Sequence, residues 1–269
     1  GLTQRVVTES KDPSLQPRIS IVDKDGNPIV VAGTKRHATY RLQVGANIMV
    51  ADGEEVSEGG VADMLRNKST RKLFSDIGNS GALKTFNKID ASNFYGGDAA
   101  LASYMNIAEE ELDSYINWHI GIDEDDADAD GSTTDIRKDV FADPLHSKPL
   151  VVNYGGSESN QDVRIIVGTN AGVLHMFDDN GDTVDESWAI MFKEFLPNVA
   201  PLRANYASSD KIYGIDGSAS IHLQDVNGDG SIDSSVGDKA WLYFGLRRGG
   251  SSYYGIDISD PDSPVMLWK

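Results

Sequence analysis

Two windows in the C-terminal half of the chain repeat one another, and that repetition restricts the fold more than any other feature. Val167-Gly168, Val173-Leu174-His175-Met176-Phe177-Asp178 and Trp188 align with Phe244-Gly245, Tyr253-Tyr254-Gly255-Ile256-Asp257 and Trp268, at offsets of 77, 79 and 80 residues. Each window reads strand, Gly-rich hairpin, strand ending in Asp, turn, then a strand carrying Trp, which is the order of a β-propeller blade. The spacing is nearly twice the ~40–45 residues of a compact blade, so long insertions are expected between blade strands. A propeller closes with at least about four blades, and only two or three fit between Val140 and Lys269. The chain begins at Gly1 rather than Met and stops at Lys269 within a strand pattern, so it reads as a piece of a longer polypeptide.

The expected fold class is therefore mainly β: partial, modified β-propeller blades over 140–269, preceded by a mixed β/α region. Residues 1–55 form a small β region, in which Arg18–Val22 and Pro28–Val31 flank Asp25-Gly26, a dipeptide suited to a tight hairpin. Tyr40–Val44 and Ile48–Val50 continue in that style. Residues 56–139 read as helix and loop leading into the blades. The clearest helix spans about Ile107–Ile120, with Asn106 and Glu109 resembling a capping box, Leu112, Tyr115, Ile116 and His119 at helical spacing, and Gly121 as the stop. His119 is expected to be a packed or partly exposed residue of that stripe rather than a ligand.

Composition narrows the chemistry. Asp and Glu number 42 against 24 Lys and Arg, a net charge of −18, which repels nucleic acid and anionic lipid and attracts divalent cations. Cysteine is absent, removing disulfides, thiolate zinc sites and cysteine nucleophiles, and leaving oxygen ligands as the expected metal chemistry. No stretch approaches the ~18–20 apolar residues of a membrane span.

Oxygen ligands occur in two short strings. Asp225-Val226-Asn227-Gly228-Asp229-Gly230-Ser231-Ile232-Asp233 places side-chain oxygens at positions 1, 3, 5 and 9, with Gly230 at position 6. That alternation points oxygens inward, the glycine permits the sharp turn, and the Ser231 carbonyl at position 7 can add a ligand. Position 12 is Val236, so the bidentate Glu of an EF-hand is missing and Asp233 must close the shell. Hard oxygen donors on so tight a loop suit Ca²⁺ better than zinc; the bland alternative is an Asx-rich turn. The second string carries Asp126, Asp128 and Asp130 at positions 1, 3 and 5, Gly131 at 6 and Ser132 at 7. Thr134 and Asp135 compete for the closing place, and a solvated acidic linker is the competing reading. Asp178–Asp182 and Asp23–Asn27 read as turns, because each departs from the ligand pattern.

Catalytic signals are weak. His146-Ser147 and Asp143 are near in sequence, but a Gly-flanked serine elbow, a zincin motif and a phosphate loop are all absent. Arg247-Arg248, the adjacent arginine pair, is expected to pair with carboxylates in so acidic a chain rather than with phosphate.

The chain resembles the PilC/PilY type IV pilus family. The resemblance rests on Tyr115–Asp123 running to Arg137–Pro149, on Gly168–Asp178, on Tyr213–Ser218, and on Gly245–Gly250 with Tyr254–Pro261; Gly59–Ala62 also suits it. It covers roughly Glu54 to Lys269. It implies a modified β-propeller and a calcium loop at Asp225, Asn227, Asp229, Ser231 and Asp233 whose occupancy regulates pilus extension against retraction. It further implies a non-enzymatic assembly factor and tip adhesin at the cell surface, exported through the periplasm, with minor pilins and a host or abiotic surface as partners. The Arg-Gly-Asp motif of some members is absent from this segment, so integrin binding is not implied. Two other readings stand beside it. One is a quinoprotein-like propeller dehydrogenase, which the lack of a vicinal cysteine pair disfavours; the other is a calcium-dependent adhesin unrelated to pili.

Overall fold

The structure, a computed structural model, describes residues 5–7, 18–20, 33–34, 55–56, 60–68, 70–127, 130–137, 140–157, 160–179, 184–205 and 211–269. The chain divides into two compact units, Gly1–Asn67 with Lys138–Phe141, and Lys68–Arg137 with Ala142–Lys269. In the first, β1 (Arg5–Val7) pairs antiparallel with β2 (Arg18–Ser20), and β3 (Gly33–Thr34) with β4 (Glu55–Val56), before helix α1 (Gly60–Arg66). Arg18–Ser20 thus falls on an expected strand. The Asp25-Gly26 hairpin and the strands near Pro28, Tyr40 and Ile48 lie outside the described residues.

The second unit is mainly β. Strands β5 (Leu73–Ser75) and β6 (Lys84–Thr85) precede helices α2 (Lys88–Tyr95), α3 (Asp98–Met105) and α4 (Leu112–Ile120). Then come β7 (Leu150–Ser157), β8 (Asn160–Gly168), β9 (Val173–Asp179) and β10 (Val184–Met191), helix α5 (Val199–Ala204), and β11 (Ser220–Gln224), β12 (Lys239–Gly245), β13 (Tyr253–Asp257) and β14 (Val265–Trp268). One sheet has six strands in the order β6-β5-β10-β9-β8-β7, and the other four in the order β11-β12-β13-β14. Strands β7 to β10 form an antiparallel meander, as do β11 to β14; β5 extends the first by pairing parallel with β10. The sequence repeat maps onto corresponding strands, the second, third and fourth of each meander.

The burial pattern explains why these segments pack as they do. Along β10, Trp188 and Ile190 join one core while Ala189 and Met191 join another, the period-two alternation of a strand covered on both faces. The first core lies between the sheets, where Val152, Ile166, Leu174 and Met176 meet Ala240, Leu242, Phe244, Tyr254 and Ile256. The second lies between the six-stranded sheet and the helices, with Leu101, Met105, Leu112 and Ile116 among its members. Each fully buried large side chain contributes ~1.5–3 kcal/mol by leaving water. Trp188 also donates its indole N–H to the carbonyl of Pro261 at 2.7 Å, bridging the two meanders.

Helix α4 begins later than its sequence signals suggest. Asn106 does not cap it; in the left-handed region at φ 59° it ends α3 instead, a conformation that asparagine tolerates better than most residues. A single 3-10 turn, Glu109–Glu111, follows, with the Glu111 carboxylate reaching back to the Ala108 N–H at 3.4 Å. Gly121, φ 113°, stops α4 as expected.

Candidate calcium loop

The Asp225 loop lies inside the second meander, joining β11 to β12. The strand before it, Ser220–Gln224, is mostly exposed and carries little apolar signal in the sequence. Within the loop, Asp225 accepts from the Gly228 N–H at 2.6 Å and the Gly230 N–H at 2.8 Å. Asp229 accepts from the Ser231 N–H at 2.8 Å and the Ser231 hydroxyl at 2.7 Å, and the Asn227 amide donates to it at 2.8 Å. Gly228 and Gly230 take φ of 73° and 84°, the left-handed conformation that lets the chain fold back on the Asp225 carboxylate. Asp233 caps a 3-10 turn by accepting from the Ser235 N–H at 2.8 Å.

Asp238, which the ligand pattern does not reach, fastens both ends of the loop. Fully buried, it accepts from the Val226 N–H at 2.8 Å and the Asp233 N–H at 3.0 Å. The loop is also tied to β7, where Asn153 donates its amide to the Gly230 carbonyl at 3.0 Å and accepts the Ile232 N–H on its own carbonyl at 3.0 Å. Hydrogen bonds from Ser231 and Asn227 hold the Asp229 carboxyl below its usual range, and those from Ser235 do the same for Asp233. Both are thus biased to the ionised form that a cation requires. Among the described residues, no lysine or arginine pairs with Asp225, Asp229 or Asp233, and no three carboxylate or imidazole groups converge at one ion-sized point. The oxygens that could hold a hard cation here are those of the Asp225, Asn227, Asp229 and Asp233 side chains and the Ser231 carbonyl.

The Asp126 loop repeats this internal wiring. Its first carboxylate accepts from the glycine at position 6, Gly131 N–H to Asp126 at 3.1 Å, as Gly230 N–H does to Asp225. Its fifth accepts from position 7, Ser132 N–H to Asp130 at 2.7 Å, as Ser231 N–H does to Asp229. Gly131 has φ 88° beside 84° for Gly230. Asp128 lies outside the described residues. Thr134 donates its N–H to the Ser132 hydroxyl at 3.4 Å, while Asp135 pairs its carbonyl with the Asp123 N–H at 2.9 Å and keeps one buried carboxylate oxygen without a hydrogen bond.

Elsewhere, His146, Ser147 and Asp143 do not assemble into a triad. His146 Nδ1 stands 2.6 Å from Asp216, the Ser147 hydroxyl accepts the Gly168 N–H at 3.1 Å, and Asp143 is held by Asn170 and Lys211. Of the two arginines expected to meet carboxylates, Arg247 lies 3.6 Å from Asp216, whereas Arg248 rests on Tyr213. His119 is buried against Phe86, as expected of a packed residue. No motif marks a buried network in which Arg71 donates twice to Glu186, at 2.7 and 2.8 Å, and His175 Nδ1 stands 2.8 Å from the same carboxylate.

Over 154 residues the chain is 27% identical to a type IV pilus biogenesis factor PilY1 homolog of Xylella fastidiosa, covering 49% of this chain and 12% of that protein. The likeness to a pilus factor is partial. Shorter stretches match DNA-directed RNA polymerase β′ subunits, 37% identical over 73 residues in Bdellovibrio bacteriovorus and 38% over 65 in Acidovorax ebreus. These cover 27% and 23% of this chain and 5% of each subunit. No family model and no solved structure matches. No helix among the described residues is long and apolar enough to cross a membrane.

Proposed function

We propose that this chain is a calcium-binding part of a type IV pilus assembly factor and tip adhesin, acting without catalysis at the cell surface. Its two meanders are read as blades of a modified propeller, and calcium occupancy of the Asp225 loop as the signal that sets pilus extension against retraction. The observation that carries the calcium reading is the wiring shared by the Asp225 and Asp126 loops, in which position 1 accepts from the position 6 glycine and position 5 from position 7. The pilus reading is supported by the 154-residue likeness to the pilus factor homolog. The acidic balance of −18 favours divalent cations over nucleic acid, so the polymerase-subunit likenesses are not taken as function. Minor pilins and a host or abiotic surface are the proposed partners.

Asp225, Asn227, Asp229 and Asp233 would hold the ion, with the Ser231 carbonyl and, for the second site, Asp126, Asp130 and their neighbours. Bound calcium would supply positive charge to carboxylates that otherwise repel. Calcium at ~100 times its dissociation constant adds ~2.7 kcal/mol, worth roughly 5–10 °C in melting temperature at this size. The test is calorimetric titration with calcium, together with melting in calcium and in chelator, on the wild type and on Asp225→Ala and Asp229→Ala. Wild-type melting that ignores both calcium and chelator would sink the calcium reading. Unchanged surface pili in cells carrying the Asp225→Ala protein would sink the pilus reading.

A further inference from the structure

Four loops outside the calcium candidates are locked together, and they concentrate basic groups in an otherwise acidic molecule. They are the segment before β7, the β8–β9 turn, the segment before β11 and the β12–β13 turn. Asn170 joins three of them: its N–H and amide donate to Asp143, at 3.0 and 2.7 Å, and its side-chain carbonyl accepts the Gly214 N–H at 3.2 Å. The fourth is packed so tightly that a Cβ on Gly249 would lie 1.7 Å from the Gly214 carbonyl oxygen, and one on Gly217 would lie 2.1 Å from that of Gly245. Loops held this closely are preorganised rather than adaptable.

Asp216 sits among them, fully buried, with a different basic side chain at each oxygen. His146 Nδ1 is 2.6 Å from Oδ1, whereas the nearest Arg247 nitrogen is 3.6 Å from Oδ2, which has no hydrogen bond. Arg247 is therefore attracted to Asp216 without being used up by it, and its side chain remains 52% exposed. Its backbone is in the left-handed region, φ 54°, and so is that of Leu145 beside His146, φ 31°. Non-glycine residues in such conformations are strained, and strained backbone clusters at functional sites. Arg248 next to it donates to the Tyr213 hydroxyl at 2.8 Å and lies over the Tyr213 ring at 5.2 Å, with no carboxylate partner among the described residues. Lys211 approaches the same ring at 6.0 Å while pairing with Asp143.

A guanidinium fork matches the two oxygens of a carboxylate or phosphate. The net charge of −18 repels an extended polyanion, so the fitting ligand is a single anionic group. We propose that Arg247 and Arg248, braced by Asp216 and accompanied by His146 and Lys211, form a binding site for one carboxylate or phosphate group.

Binding of sodium phosphate and of sodium acetate, each titrated at constant ionic strength and followed by backbone amide NMR shifts, tests this directly. Saturable shifts are expected at Gly214, Gly217 and Arg248 for one or both anions, and the stronger binder identifies the oxyanion. Arg247→Gly removes the guanidinium while suiting the left-handed backbone, so binding should weaken at least tenfold with the melting temperature equal to or above that of the wild type. Arg248→Ala should weaken binding as well, and Lys84→Ala, remote in sequence and paired with Asp90, should leave it unchanged. No saturable shift with either anion overturns the proposal. So does an Arg247→Gly protein that melts lower, because Arg247 would then serve the fold through Asp216. Heparin binding far more tightly than both small anions, at the same residues, would overturn the single-group ligand.

Discussion

At the scale of single residues, the candidate calcium loop depends on a carboxylate outside its own ligand pattern. Asp238 is buried and takes two backbone donors, Val226 and Asp233 N–H, at the entry and exit of the loop. Removing it takes a charged acceptor from two part-buried backbone donors, and a hydrogen bond to a charged group is worth about 1.5–3 kcal/mol. Asp238→Ala is expected to lower stability by ~2–4 kcal/mol in a denaturant titration, and to weaken calcium binding at least tenfold by calorimetry. Asp238→Asn keeps one acceptor and should fall between the two. Val236, exposed at position 12 of the same loop, should accept polar substitution with little change. Equal calcium affinity in wild type and Asp238→Ala would show that the loop ends need no such anchor.

At the scale of elements, the loop is a strap between the sheets. Strand β7 is the edge of the six-stranded sheet and carries a bulge between Asn153 and Gly156. Gly155 at φ 94° leaves room for Ser231, whose hydroxyl a Cβ at that position would meet at 3.4 Å. The bulge turns Asn153 towards the loop, and its bonds to Gly230 and Ile232 cross from one sheet to the other. Ile232 completes the attachment by burying its side chain in the core between the sheets. Bulges re-aim side chains in this manner and protect an edge from unwanted pairing. Asn153→Ala removes the side-chain bond to Gly230, about 0.5–1.5 kcal/mol. The expected result is faster hydrogen exchange at the Ile232 amide and a smaller calcium-induced rise in melting temperature. An unchanged exchange rate would separate the loop from the β7 edge.

At the scale of the second unit, buried ionisable groups decide how the protein meets acid. Burial, aided by the Arg137 and Arg71 charges, pushes His119 from 6.5 down to about 3, so it is neutral in the fold. Burial pushes Glu186 up, but the hydrogen bonds from Arg71 and His175 outweigh it and bring the carboxyl from 4.5 down to about 2. The unfolded chain binds a proton at each site before the folded chain does, so both contributions are complete above the unfolded values and shrink as pH falls. For His119 the loss runs from pH 6.5 to about 3, and for Glu186 from 4.5 to about 2. Within each window one group contributes a slope of about 1.4 kcal/mol per pH unit. Stability followed from pH 7 to pH 3 should therefore decline first gently, then more steeply below pH 4.5. His119→Phe, which keeps an aromatic ring beside Phe86, should reduce the slope throughout pH 6.5 to about 3 and leave the Glu186 contribution below pH 4.5 in place. An identical profile in that variant would exclude His119 as its origin.

The features the sequence determined by itself are those carried by near neighbours. The alternation of Asp225, Asn227 and Asp229 with glycine at 230 specifies the inside of the loop because the hydrogen bonds accepted by Asp225 and Asp229 close within five residues or fewer. The period-two burial of β12, with Ala240, Leu242 and Phe244 inward, and the repeat carried to Trp268 are legible for the same reason. What the sequence could not specify are meetings between residues far apart along the chain: Asn153 with Gly230, His146 with Asp216, and Arg71 with Glu186. Nor could it show β5 adding to β10 in parallel, since that pairing joins segments separated by three α-helices and the strands β6 to β9. Local pattern sets the conformation of each piece. Which pieces touch is decided by the packing of two sheets and a helical layer around shared cores, and only the tertiary structure holds that information.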